Sequence, residues 1–267
     1  MSLINLQTVL SQRPLGLVFD IDGTLSPIAP TPEEARLYPG VGTLLEQARE
    51  RANVAIMTGR AIDDGARMVN VEGLTYSGNH GLEWSDGLPW LHPVNMVQEA
   101  LAYVEPGNQL LDLAEEGLAG LPGIIIQRKS VGGSIHYRLA PDPGEARRRI
   151  LSLLEEPARR LNMRLAEGKQ VVEVRAPLAV NKGYALKQFV QRLDLRAVIF
   201  AGDDRTDFDA IMEISRLRND GIAALSIVVQ QADTLPELLE HADIVVQGVE
   251  GMVELLREIV VTLQRHT

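Results

Sequence analysis

The stretch Gly16–Pro27, GLVFDIDGTLSP, decides how this chain is read. An apolar run from Leu15 to Phe19 stops at Asp20, a second carboxylate follows at Asp22, and Gly23, Thr24 and Leu25 come next. A short apolar run bounded by turn residues predicts a strand buried within a parallel sheet. In such sheets ligands gather beyond the carboxyl ends of the strands. The spacing of two lets Asp20 and Asp22 leave the strand on one side at that edge. Gly23 permits a sharp turn and brings backbone N–H groups close to whatever binds there. Two carboxylates so near repel, and each raises the other's pKa unless a cation intervenes. Hard oxygen ligands suit magnesium. An isolated D-x-D reads equally well as a solvated strand end and a turn, because turns favour aspartate for local hydrogen bonds. The whole string D-I-D-G-T-L behind a buried run is far more specific.

Working outward, 267 residues permit one large domain or two of ordinary size, and a 45% hydrophobic content supports a packed core. There is no cysteine, which excludes disulfides and thiolate metal sites and fits a cytoplasmic location. The opening MSLINLQTVLSQRP lacks the basic start and long apolar core of a signal peptide. No uninterrupted apolar run approaches the roughly 20 residues that span a bilayer. The net charge of −10 and the lack of a basic stripe speak against nucleic acid or a membrane as partner. The cluster Arg147–Arg149 with Arg159 and Arg160 alternates with Glu145, Glu155 and Glu156, the pattern of a solvated helix face.

Along the chain, a short helix is expected within residues 1–14. The proline-rich PIAPTPEEARLYPG after Ser26 predicts an irregular crossover, and Val41–Arg51 an amphipathic helix. Asn53–Met57 reads as a second buried strand, followed by Thr58-Gly59-Arg60 and a helix over Ala61–Met68. Strand, Thr-Gly and helix N-terminus form a phosphate-binding arrangement in miniature, which makes Thr58, Gly59 and Arg60 candidate contacts. Thr58 serves equally as a plain helix cap. A third strand, Leu74–Ser77, leads to the G-N-H-G turn, where Asn79 and His80 are candidate substrate contacts or simple turn residues. Trp84–Trp90, WSDGLPW, predicts a hairpin around Asp86-Gly87.

From Pro93 to Pro177 the texture changes to helix, hairpin, helix, hairpin: Val97–Leu118, Ile124–Arg128 with Gly133–Leu139, Gly144–Leu161, then Met163–Ala166 with Val171–Val174. Lys129, His136, Arg138, Lys169 and Glu173 are polar positions facing out of this hairpin sheet. They are candidates for gripping a polar ligand, or ordinary exposed residues of an antiparallel sheet. Beyond Pro177, Asn181-Lys182-Gly183 opens a helix through Arg192, and the buried strand Ala197–Ala201 ends in GDDRTDFDA. Asp203, Asp204, Asp207 and Asp209 there repel one another unless a cation or a neighbour compensates. Two last strands (Ser226–Val229 and Asp243–Val246) and a helix (Gly251–Arg265) close the chain.

D-I-D-G-T, T-G-R, N-K-G and G-D-D-R-T-D in this order resemble the haloacid dehalogenase-like phosphatases across essentially the whole chain. DGTLSPI, SGNHGLE, Lys129 with the HYR of His136–Arg138, EGKQVVEVR and GDDRTDFDA are similar, within that superfamily, to the trehalose-6-phosphate phosphatase family. Two positions depart from the pattern: Gln127 stands where an acidic residue is expected, and so does Phe208. The resemblance implies an α/β fold, a Rossmann-like parallel-sheet core (residues 1–94 and 178–267) with an inserted α+β cap of αββαββ order (residues 95–177). It implies Asp20 as nucleophile forming an aspartyl-phosphate, Asp22 as general acid and base, and Thr58 and Lys182 as holders of the phosphoryl oxygens. Mg²⁺ is expected on Asp20, the Asp22 backbone carbonyl and Asp203, with Asp204 and Asp207 orienting its waters or Lys182. Lys129, His136, Lys169 and Glu173 are expected to bind sugar hydroxyls as the cap closes. The implied partner is a small sugar phosphate, handled by a monomer. Two other readings compete: a related phosphatase of glucosyl- or mannosyl-3-phosphoglycerate or sucrose 6-phosphate, and a catalytically silent sugar-phosphate sensor. Every catalytic position holds the residue the chemistry needs, which argues against the sensor.

Overall fold

The computed structural model of the chain describes residues 5–265. The expected N-terminal helix is α1 (Leu6–Leu10), and its residues 1–4 lie outside the described residues. The chain forms two compact units, Met1–Asn95 with Val180–Thr267, and Met96–Ala179.

In the first unit, β1 (Leu15–Phe19), α2 (Val41–Arg49), β2 (Asn53–Met57), α3 (Ile62–Val69), β3 (Thr75–Gly78), β4 (Glu83–Asp86) and β5 (Asn95–Met96) precede the insertion. The second unit holds α4 (Val104–Leu118), β6 (Ile125–Arg128), β7 (Gly133–His136), α5 (Pro143–Arg160), β8 (Arg164–Gly168) and β9 (Val171–Arg175). The first unit then resumes with α6 (Lys182–Arg192), β10 (Ala197–Gly202), α7 (Phe208–Asn219), β11 (Ala223–Gln230), α8 (Pro236–His241), β12 (Ile244–Gln247) and α9 (Gly248–Arg265).

The large sheet runs β12-β11-β10-β1-β2-β3-β4-β5, and every pairing from β12 to β3 is parallel. Its strands are apolar on both faces because helices cover both. Leu15, Leu17 and Phe19 pack towards α1, α2, α3 and α9. Val18, one residue out of phase, packs with Phe200 and Val198 towards α6, α7 and α8. β1 lies in the middle of the sheet, and the chain proceeds from it to β2 on one side and returns as β10 on the other. That reversal of winding direction opens a crevice at the carboxyl ends of β1 and β10, where Asp20 and Asp203 stand.

The second unit is a four-stranded antiparallel sheet, β6-β7-β9-β8, with α4 and α5 on one face. Ile135, Val172 and Val174 alternate inward to meet Leu110, Leu111, Ile150 and Leu154. The register places Ser134 opposite Gln127 and Glu173, on the face turned away from these helices.

Several expectations are corrected. The hairpin expected around Asp86-Gly87 is one turn earlier: β3 and β4 pair antiparallel, Gly78 against Glu83, through the one-turn 3₁₀ segment Asn79–Gly81. The helix expected from Val97 begins as a 3₁₀ stretch, Gln98–Tyr103, and becomes α-helical only at Val104. Pro106 then falls in the first turn, where its missing N–H does no harm. The strand expected to reach Leu139 ends at His136, because the chain turns with the Ala140 N–H on the Tyr137 carbonyl. Arg138 is therefore in a turn and not on the sheet face. The sequence reading had no element at α7 or α8. Among the described residues, no helix is long and apolar enough to cross a membrane.

Ile150 is fully buried in the core of the second unit. Ile150→Ala is expected to destabilise that unit by about 2–5 kcal/mol, the span for aliphatic truncation in a packed core, read as a lowered urea midpoint.

Candidate active site

Four strand ends supply the site. The Asp20 N–H donates to the Ala201 carbonyl at 3.0 Å, continuing the β1–β10 pairing by one residue before the chains part. The turn after it is tight: the Ile21 carbonyl accepts the N–H groups of Thr24, Leu25 and Ser26, and the Gly23 N–H donates to the Ser26 carbonyl at 2.7 Å. Gly23 has φ +85°, and a Cβ there would lie 2.1 Å from Asp203 Oδ2. Its missing side chain is what lets the two aspartate-bearing loops approach. The Gln231 Nε2 group, just past β11, donates to the Gly23 carbonyl at 2.9 Å and holds the turn from the other side.

Lys182 occupies the first position of α6, which Asn181 caps by accepting the Tyr184 N–H. Its buried amine lies 2.8 Å from Asp20 Oδ1 and 2.6 Å from Asp207 Oδ1. The other Asp207 oxygen accepts the N–H groups of Asp203 at 3.0 Å and Asp204 at 3.1 Å. Lys182 and the two backbone N–H groups donate to Asp207, while burial pushes its carboxyl well above the usual range against the pull of Lys182. Asp204 folds back on Thr206, accepting its N–H at 2.8 Å and its hydroxyl at 2.7 Å. Asp209, the fourth carboxylate of the loop, lies in the first turn of α7, where the helix dipole favours it.

Charge is crowded here. Burial pushes the Asp20 carboxyl up to about 6, opposed by Lys182 and reinforced by Asp204 and Asp22. Burial, with the charges of Asp20 and Asp207, holds Asp203 well above the usual carboxylate range. Burial works against the Lys182 ammonium, but Asp20 and Asp207 overcome it and keep the amine well above its ordinary value.

Ligand oxygens of Asp20, Asp203 and Asp207 all lie within 4.8 Å of one another. Asp207 is already spent on Lys182 and two backbone donors. Among the described residues, Asp203, only 3% exposed, receives a single long contact, from the Thr24 hydroxyl at 3.4 Å. A buried carboxylate so poorly compensated beside a second one fits a hard divalent cation. The Asp22 side chain does not join this group.

Instead Arg60 grips Asp22 bidentately, Nε on Oδ2 and Nη2 on Oδ1, both at 2.6 Å, and Nη1 donates to the Pro32 carbonyl at 3.0 Å. Arg60, expected as a substrate contact, has a protein acceptor on each guanidinium nitrogen. Thr58 stands at the end of β2, and its hydroxyl oxygen accepts the Arg60 N–H at 3.1 Å, leaving the hydroxyl hydrogen to point elsewhere.

The Thr58–Arg60 turn is clamped by the segment after β3. Asn79 and His80 donate their N–H groups to the carbonyls of Arg60 (2.7 Å) and Thr58 (3.0 Å). Both residues adopt left-handed backbone, φ 47° and 57°, a conformation rare outside glycine and found where surrounding structure enforces it. The His80 ring covers Gly59 so closely that a Cβ would come within 2.5 Å of it. Asn79 is buried, as is Glu83, which accepts the Ile62 N–H at the start of α3 at 3.0 Å.

In the second unit, Lys129 follows β6, and its amine lies 2.9 Å from Glu173 Oε1, which also accepts the Ser134 hydroxyl at 3.2 Å. Arg175 pairs with the other Glu173 oxygen. His136 ends β7 on the same sheet face as Glu173. Lys169 is exposed in the β8–β9 turn, and its carbonyl accepts a long 3.5 Å contact from Arg138.

Sequence reasoning missed Gln231, Glu83 and the Asp22–Arg60 pair. Glu83 carried only its place in the SGNHGLE stretch as a signal. Gln231 carried none beyond its place at a strand end.

A family model described as trehalose-phosphatase matches residues 18–236. The trehalose-phosphate phosphatase of Mycobacterium leprae is 30% identical over 238 residues, 84% of this chain and 52% of that protein. The chain thus spans about half the length of such relatives. Among solved structures, a trehalose-6-phosphate phosphatase related protein superposes with a TM-score of 0.78 at 25% identity, covering 94% of this chain and all of that one. The C-terminal domain of the Candida albicans trehalose-6-phosphate phosphatase shares the fold, with a TM-score of 0.72 at 20% identity over 98% of this chain and 96% of that one.

Gly23 and Gly40 have the same left-handed backbone, φ +85° and +87°, but a Cβ at Gly40 meets nothing within 4 Å. Alanine at Gly40 is expected to cost about 1 kcal/mol, the backbone term alone. Alanine at Gly23 should cost more, through the Asp203 collision. Paired thermal denaturation of the two variants checks this, and equal losses would contradict the close approach.

Proposed function

Because the chain belongs to the trehalose-phosphatase family, we propose that it hydrolyses trehalose 6-phosphate to trehalose and phosphate, with magnesium, through an aspartyl-phosphate on Asp20. The observation that carries this reading is the buried Lys182 ammonium held against Asp20 Oδ1 at 2.8 Å. It pairs a nucleophile with a fixed positive charge at a parallel-sheet edge, where phosphoryl transfer needs positioning and charge neutralisation above all.

An Asp20 oxygen attacks phosphorus in line, and the bond from phosphorus to the sugar oxygen breaks. Asp22 gives its proton to that departing oxygen. The same carboxylate then takes a proton from the water that attacks phosphorus and releases Asp20. Lys182 and the Thr58 hydroxyl hold the phosphoryl oxygens, and Asp207 keeps Lys182 aimed. The Asp20 and Asp203 carboxylates and the Asp22 backbone carbonyl are the groups that would hold Mg²⁺, with Asp204 beside them. When bound, the ion supplies charge neutralisation at the transferring group. The chemistry thus belongs to residues 1–94 and 178–267, and we assign the choice of sugar to residues 95–177, through Lys129, His136, Lys169 and Glu173. The protein is read as a cytoplasmic monomer.

Phosphate release should be measured on trehalose 6-phosphate, sucrose 6-phosphate, glucose 6-phosphate and glucosyl- and mannosyl-3-phosphoglycerate, with Mg²⁺ and with EDTA. The expected result is a strong preference for trehalose 6-phosphate that EDTA abolishes, and a loss of turnover of at least ~10³-fold in Asp20→Asn. Preference for another sugar overturns the substrate alone. No release from any of them overturns the enzyme reading in favour of a silent sensor.

The Asp20 carboxyl, held at about 6 before the ion arrives, must be ionised to bind it, so binding releases a proton below that pH. Mg²⁺ affinity is therefore expected to rise as the pH is raised through about 6, and Asp203, also raised by burial, extends the rise to higher pH. Titration calorimetry between pH 5 and 8 checks the trend.

A further inference from the structure

We propose that Arg60 is a positioning residue for Asp22: its guanidinium fixes the carboxylate that serves the leaving oxygen, and does not itself bind the substrate. The proposal rests on the reading of Asp22 as general acid and base. It stands on the geometry of one planar group. Nε and Nη2 meet the two Asp22 oxygens in parallel at 2.6 Å, and Nη1 meets the Pro32 carbonyl at 3.0 Å. A guanidinium offers this fork in one fixed plane, and an ammonium does not. The Arg60 side chain is 11% exposed and that of Asp22 33%, so the carboxylate is the freer partner and the arginine the anchor.

The anchor is itself held. The Arg60 N–H donates to Thr58 Oγ1 at 3.1 Å, and the Arg60 carbonyl accepts the Asn79 N–H at 2.7 Å. Backbone and side chain together make one rigid link from the hydroxyl assigned to the phosphoryl group to the carboxylate assigned to the leaving oxygen. On the Asp22 side, the tight turn after β1 fixes the backbone through the Ile21 and Ser26 carbonyls. Among the described residues, the Asp22 carboxylate is held by Arg60 alone. The positions of proton donor and phosphoryl holder are thereby set against each other by a single residue, and misplacement by about 1 Å is enough to slow an enzyme ~10²-fold.

The test uses leaving groups that differ in their need for a proton. The ratio kcat/KM reports the steps up to formation of the aspartyl-phosphate, which include the acid role of Asp22 and exclude its later role as base. It should be measured for wild type, Arg60→Ala, Arg60→Lys, Asp22→Asn and the Arg60→Ala/Asp22→Asn double variant, on the preferred sugar phosphate and on p-nitrophenyl phosphate. Thermal melts confirm that each variant folds. Arg60→Ala is expected to lose ~10- to 100-fold on the sugar phosphate and at least ~10-fold less on the aryl phosphate, whose leaving group departs without protonation. Arg60→Lys should not restore the difference. In the Asp22→Asn background, Arg60→Ala should cost nothing further on the sugar phosphate, the non-additivity of residues acting as a unit.

Equal losses on both substrates would overturn the proposal and make Arg60 a phosphate contact. Additive losses in the double variant would overturn it as well. If Asp22→Asn itself shows no dependence on the leaving group, the general-acid reading of Asp22 has failed, an outcome distinct from failure at Arg60 alone.

Discussion

Lys182 is the charge on which the arrangement of the first unit depends. The carboxyl ends of β1 and β10 bring Asp20, Asp203, Asp204 and Asp207 into a buried crevice, where like charges would drive the strand ends apart or force protonation. One ammonium, 2.8 Å from Asp20 and 2.6 Å from Asp207, offsets part of that repulsion. Removing one partner of a buried ion pair leaves an uncompensated charge, so Lys182 has a structural duty as well as a chemical one. The offset is incomplete. Among the described residues Asp203 keeps only the 3.4 Å contact from Thr24, an imbalance that a hard divalent cation would offset.

The second constraint is backbone geometry. The turn after β1 and the turn after β2 must both come close to neighbouring side chains, and each does so through a glycine. At Gly23 the neighbour is the Asp203 carboxylate, and at Gly59 the His80 ring. The consecutive left-handed residues Asn79 and His80 are held by hydrogen bonds from their own N–H groups to the Thr58–Arg60 turn. A segment that costs conformational energy is thus fixed against the segment it organises.

Much of this was legible in the sequence because the signals were local. Buried parallel strands announce themselves as continuous apolar runs, and Leu15–Phe19, Asn53–Met57 and Ala197–Ala201 are recovered within a residue or so. The Asp20, Thr58 and Asp203 positions follow from where those runs end, and Lys182 from the Asn181-Lys182-Gly183 opening of α6. The failures have physical causes. Asp86-Gly87 is a good two-residue hairpin signal, but the strands are joined at Asn79–Gly81, where Asn79 and His80 both adopt left-handed backbone. The helix α7 follows directly on the run of aspartates, which was read for its charge and not for the element behind it. Arg138 was placed on a strand that ends two residues earlier.

The Asp22–Arg60 pair was beyond any local signal, since the two residues are 38 apart in sequence and meet only because β1 and β2 are neighbours in register. Sequence spacing assigned Arg60 to the substrate on the strength of its position after Thr58. The tertiary fold gives it a different acceptor of matching shape. The general point concerns arginine in a cluster of carboxylates. Its charge can be read from the sequence, but its planar fork selects one carboxylate out of five by geometry alone. In this chain that choice separates the aspartates into two sets. Asp20 and Asp203 lie together within the cluster of buried carboxylates, while Asp22 is held apart from them on Arg60. A lysine at residue 60 would supply the same charge without making that division.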